Sequence, residues 1–210
     1  MRRIDMRSQK VITFAGGNPS TNLQGFWVQA GFTSINDLII SPDQLTLYVA
    51  LAYKIASITI STTEVNIFSD GNQRSVDDNN VGGLGVGNRC WLHFSPSGKK
   101  MYISDRVYMA VRVIDMESRL TDTVAGLLAG NTDGVEYDAR LTSLARITVS
   151  DTSEFLIVSQ YTDRKIKIVT LLESGPAECL QCPDHYQAVE ISKTFANGGT
   201  GLPCINFVVS

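Results

Sequence analysis

Long apolar runs are missing from this 210-residue chain: no stretch approaches the ~20 residues a membrane-spanning helix requires. The opening MRRIDMRSQK also lacks the apolar centre of a secretory leader, so the chain as written reads as soluble, with no membrane insertion. Neither charge sign dominates. Eighteen Lys and Arg face 21 Asp and Glu, a net charge of −3, which argues against general affinity for nucleic acid or anionic lipid. Histidine is scarce, with only His93 and His185 able to serve as base or ligand near neutral pH. Cysteine is nearly confined to the end: Cys179, Cys182 and Cys204 stand in the last 32 residues, and Cys90 alone elsewhere. There is no usable glycosylation sequon, because Asn18 is followed by Pro and Asn131 by Thr and Asp. Amphipathic helix patterns are absent too.

What the chain has is a repeat. Ile4, Ile58, Ile114 and Val169 occupy equivalent places at steps of 54, 56 and 55 residues. SPDQLTLYVA from Ser41, SPSGKKMYIS from Ser95 and SDTSEFLIVS from Ser150 keep the same beat, at steps of 54 and 55. A fixed period of this size decides the architecture before any local reading. Within it lie short segments rich in Ile, Val, Thr, Tyr and Phe, divided by Ser-Pro and Gly turns, which are strands joined by hairpins. One period reads NDLIIS, TLYVAL, IASITI, EVNIFSD and the next NRCWLHFS, KKMYISD, AVRVIDM, TDTVAGL. Four antiparallel strands per period predict an all-β chain of β-propeller blades, with long connections over 16–31, 69–88 and 126–139 carrying each outermost strand to the next innermost one. The glycine run over 82–87 is read as a flexible connection, since no helix follows to complete a phosphate loop.

These residues resemble the NHL-repeat family of propellers. The matches are Arg3-Ile4-Asp5 and Val113-Ile114-Asp115, Phe14-Ala15-Gly16-Gly17 and Val124-Ala125-Gly126, Asp133-Gly134, Ala139-Arg140-Leu141, Ser41-Pro42-Asp43 and Met101-Tyr102-Ile103-Ser104-Asp105. They appear in the family's order over residues 2 to about 171. Leu51 and Gln160 depart from the pattern where Asp105 follows it, and Asp163 replaces the family's usual Asn. Counting strands as two, four, four and about three gives little more than three blades, so the ring is expected to be incomplete. Part of a larger multidomain protein, or self-association of chains, would cover the bare end faces.

The domain reading is 1–172 for the blades and 173–210 for a cysteine-containing tail. Cys179-x-x-Cys182 followed by Pro, with a Tyr four residues on, resembles the opening of a cysteine-rich extracellular module. Cys179, Cys182 and Cys204 are disulfide candidates, and a bond closing about 25 residues contributes roughly 3 kcal/mol. Zinc and a redox dithiol are the competing readings. Oxidised cysteines place the chain outside the cell or at its surface, and reduced ones in the cytoplasm.

No catalytic constellation assembles from sequence, and no cofactor is implied. His93 and Trp91 alternate on an innermost strand and are candidates for axial ligand contacts, with a hydrogen-bonded structural role as the plainer reading of His93. Asp105, Asp133, Asp163 and Asn36 are weighed as cation ligands for a lactonase-like hydrolase, against solvated turn residues. Arg3, Arg112 and Lys167 read as outward-pointing and too sparse for RNA. Trp27 reads as a core plug. The expected function is a noncatalytic scaffold presenting rims and loops to a protein or glycan, with a metal-dependent lactonase-like hydrolase as the alternative.

Overall fold

A computed structural model describes residues 1–17, 25–26, 31–32, 34–69, 84–134 and 138–171, with two short paired strands at Lys193–Thr194 and Thr200–Gly201. Trp27, His185, Cys179, Cys182 and Cys204 lie outside the described residues, and with them the disulfide, zinc and core-plug readings.

Among the described residues there is no α-helix, and over residues 2–170 four antiparallel sheets follow one another along the chain. The first holds β1 (Arg2–Ile4) and β2 (Val11–Thr13). Then β3 (Gly25–Phe26) runs along the outer edge of the second sheet, whose strands are β4 (Asp37–Ile40), β5 (Thr46–Leu51), β6 (Lys54–Thr59) and β7 (Glu64–Ser69). The third sheet is β8 (Cys90–Phe94), β9 (Lys100–Asp105), β10 (Ala110–Asp115) and β11 (Thr121–Gly126). A short parallel pair, β12 (Leu128–Ala129) and β13 (Arg140–Leu141), precedes the fourth sheet of β14 (Leu144–Val149), β15 (Phe155–Gln160) and β16 (Lys165–Thr170). Within each sheet β4 to β7, β8 to β11 and β14 to β16 lie side by side in chain order, and β8 adjoins both β4 and β14, as the innermost strands of successive propeller blades do.

The sheets stack through three apolar layers. Ala15, Leu47, Val49, Leu51, Ala56, Ile58 and Val65 fill the first; Tyr48, Ala50 and Ile55 meet Cys90, Leu92, Phe94, Met101 and Ile103 in the second; Tyr102 and Val111 meet Leu144, Ile147, Leu156 and Val158 in the third. Alternation along β5 explains its composition. Leu47, Val49 and Leu51 face the preceding sheet while Tyr48 and Ala50 face the following one, so a strand covered on both sides reads as an unbroken apolar run. Tyr48 meets Phe94 edge-on across the second layer, ring centroids 5.6 Å apart.

The serine landmark is a turn device. Ser41, Ser95 and Ser150 each accept a hydrogen bond at Oγ from the residue opening the next strand: Thr46 N at 3.0 Å, Lys100 N at 3.0 Å and Phe155 N at 3.2 Å. The fourth residue of each turn has positive φ (Gln44 62°, Gly98 72°, Ser153 61°), yet only one is glycine. Gly126 is glycine by necessity: its φ is 104°, and a Cβ would stand 2.1 Å from Met109 O.

Three expectations need correction. Arg112 and Lys167 do not point outward; both are buried, and only Arg3 is exposed. Arg112 Nη1 donates to Gly85 O at 2.8 Å and Lys167 Nζ meets Asp133 Oδ1 at 3.0 Å, so each cation on a blade's third strand ties down the connection that enters its own blade. Asp105 is not a solvated turn carboxylate but fully buried. The described part of the glycine run is no flexible link: Leu84 and Val86 are fully buried in the second layer, and Ser69 Oγ donates to Leu84 O at 2.6 Å.

Candidate functional site

Superposing the repeats by register turns the innermost strands into levels. Asp37, Trp91 and Arg146 share one level, Ile39, His93 and Thr148 the next, and Ser41, Ser95 and Ser150 the third. The serine level is uniform because every blade needs the same turn. The other two levels differ in chemistry from blade to blade: Asp37 and Ile39 serve the packing between blades, whereas Trp91, His93, Arg146 and Thr148 are half-buried or exposed.

Asp37 organises the first level. Its Oδ2 accepts the Leu92 N–H at 3.0 Å, satisfying a donor on the inner edge of β8, and its Oδ1 meets Arg146 Nη1 at 3.0 Å. One buried carboxylate thereby links three consecutive blades. Arg146 itself is 73% exposed against 8% for Asp37, so its guanidinium is oriented from below and faces solvent. Beside it, Asn36 Nδ2 donates to Asn88 O at 2.8 Å, and Ser104 Oγ to Ala145 O at 2.8 Å. Trp91 is half-buried at the same level, between the acid and the guanidinium in blade order.

On the second level His93 Nδ1 lies 2.9 Å from Phe94 O and Nε2 lies 3.4 Å from Thr148 Oγ1. A carbonyl only accepts, so in the neutral ring Nδ1 carries the proton and Nε2 takes the threonine hydroxyl. The hydroxyl beside an imidazole is the start of a nucleophile–base pair, but the ring is oriented by a backbone carbonyl rather than a carboxylate, and the spacing is long.

The carboxylates weighed as cation ligands do not come together. Asp105 accepts from Gly87 N at 2.7 Å, Val107 N at 2.9 Å and Tyr108 N at 3.0 Å. Burial pushes its carboxyl above the ordinary range, partly offset by these donors and by Arg112. Asp133 holds Lys167, and Asp163 accepts from the Thr142 hydroxyl. Among the described residues no group of three His, Cys, Asp or Glu side chains is placed to hold a metal ion. Cys90 is a free, buried thiol whose pKa burial pushes well above its usual value. Asp37 and Arg146 carry the site, and neither stands out locally in the sequence; only alignment of the repeats puts them level with Trp91.

No family model matches the chain. No curated protein matches it either. Solved structures do. An auxiliary nutrient binding protein from Bacteroides thetaiotaomicron VPI-5482 superposes with a TM-score of 0.61 at 16% identity, over 79% of this chain and 41% of that one. The Cps50 (Swd1) β-propeller domain of Myceliophteria thermophila gives 0.46 at 13% identity over 85% and 50%. The periplasmic gluconolactonase of Pseudomonas aeruginosa gives 0.47 at 14% over 98% and 56%. The chain thus spans about two fifths of the length of the nutrient-binding protein, and at these identities the likeness concerns the fold: the chain is built of β-propeller blades.

Proposed function

We propose that the chain is a noncatalytic β-propeller scaffold that binds a protein or glycan partner at the axial mouth formed by Asp37, Trp91 and Arg146. The observation that carries this reading is the first axial level, where the repeats set a carboxylate, an indole and an oriented guanidinium at equivalent positions. An indole face suits the C–H surface of a sugar ring or an apolar side chain, and a guanidinium with free donors suits hydroxyl or carboxylate oxygens. A hydrolase that ligated a metal through Asp37 would have to release both carboxylate oxygens from Leu92 N and Arg146. We assign the blades to the NHL type on the motifs given above, the unit beyond residue 172 to a separate cysteine-bearing segment, and the location to the cell exterior or surface.

Tryptophan fluorescence titration against a panel of neutral and acidic oligosaccharides, with protein capture alongside, tests the proposal. Binding should be weakened at least tenfold by Arg146→Ala and by Trp91→Ala while the thermal transition persists. Binding indifferent to both substitutions would refute this location.

A further inference from the structure

The end faces of the blade stack expose the same register positions that are buried between blades. Ile4 on β1 is 60% exposed, whereas its equivalents Ile58 and Ile114 are 0% and Val169 1% exposed. Val11 on β2 is 53% exposed against 1% for Val65. Arg2, in register with the buried Arg112 and Lys167, is exposed as well. At the other end Ile166 on β16 is 60% exposed, whereas its equivalents Ile55 and Val111 are 0%. Ile157 is half-buried where Tyr48 and Tyr102 are buried.

Ile4 and Val11 belong to the side that each sheet turns toward its predecessor, Ile166 and Ile157 to the side turned toward its successor. Among the described residues these two faces are therefore complementary: β1–β2, with Leu38 and Ile40 (50% and 51% exposed) inward of it, presents one half and β14–β16 the other half of the interface that forms in full between the second and third sheets and between the third and fourth. We propose that a second copy of this chain covers them head to tail, the β14–β16 face of one copy against the β1–β2 face of the other. A second copy necessarily carries the complementary half, which an unrelated partner does not. Two copies bring six sheets with innermost strands and two outer strand pairs around one axis, within the four to eight blades of closed propellers. The contact is heterologous, so it closes only if the rotation per sheet brings both junctions together.

Sedimentation equilibrium of the full chain should show a species of twice 22.9 kDa. Ile4→Asp and Ile166→Asp, both at exposed positions that leave the internal layers intact, should each weaken association at least a hundredfold, because every junction uses one of each face. Mixing the two variants should restore a dimer, since one intact junction remains between them; Val11→Asp in place of Ile4→Asp should behave alike. A wild-type chain that stays at 22.9 kDa up to about 100 µM would overturn the proposal and leave the faces to another polypeptide. So would single variants that still self-associate, the mark of like faces meeting, or a mixture that does not recombine.

Discussion

Buried polar side chains decide most at the residue scale. Asp105 gathers three backbone donors at the mouth of its blade, and Gly87 is the closest of them; a Cβ there would lie 2.5 Å from Val107 Cβ and 2.6 Å from Asp105 Oδ1. Asp105→Ala should cost about 3 kcal/mol in urea unfolding by stranding these donors, and Gly87→Ala ~1–3 kcal/mol by overpacking. The carboxyl's folded pKa is raised, so the native state holds this proton more tightly than the unfolded chain does. Its contribution therefore falls as pH rises through the interval above 3.8 and is recovered below it. The stability of the wild type relative to Asp105→Asn should accordingly improve on acidification through that interval, and a ratio independent of pH would contradict the assignment. Gln160 stands where the second blade has the buried Leu51, and its amide has no hydrogen-bond partner among the described residues. Gln160→Leu should be no less stable than wild type, and a loss above ~2 kcal/mol would show the amide to be bonded. The equivalence of Asp105, Leu51 and Gln160 was visible in the sequence, but the burial was not: alternation puts polar residues outward by default, and Arg112, Lys167 and Asp105 violate it because connections between blades need partners inside.

Elements were easier to read. The strands of the second and third blades were legible to within a residue or two, since burial on both faces concentrates Ile, Val, Leu and Tyr and the Ser turn recurs at a fixed offset. β3, β12 and β13 were not, because two-residue pairs carry no periodicity. Nor were the turns: at the hairpin between the second and third strands Tyr53, Met109 and Arg164 take φ of 66°, 54° and 52°, where turn chemistry would ask for Gly or Asn. The axial level was half legible, Trp91 and His93 from their strand and Asp37 and Arg146 only through the repeat. A double-mutant cycle on Asp37 and Arg146 should give a coupling of ~0.5–1 kcal/mol, modest because the guanidinium is exposed. Asp37→Ala alone should cost ~1–3 kcal/mol more than Arg146→Ala, since it also leaves the Leu92 N–H without its acceptor.

For the whole molecule, the repeat turns one packing solution into a stack in which each sheet shares its apolar layers only with its neighbours, while the Asp37–Arg146 pair reaches from the second sheet to the fourth. Cys90 reports on that stack from inside the second layer. Its buried thiol, held largely protonated, should resist alkylation by iodoacetamide at pH 8 in the native protein and react on unfolding; rapid labelling of the folded chain would mean that the second and third sheets separate. The most direct test of the radial stack is an aromatic- and methyl-resolved NOE map. Tyr48 ring protons should see Phe68 and Phe94, and Tyr102 should see side chains of the fourth sheet such as Ile147 and Val158, with no core contact between the second and fourth sheets. Cross-peaks joining Tyr48 or Ile55 to Leu156 or Val158 would instead place those two sheets face to face, as in a sandwich, and the blade arrangement would not stand.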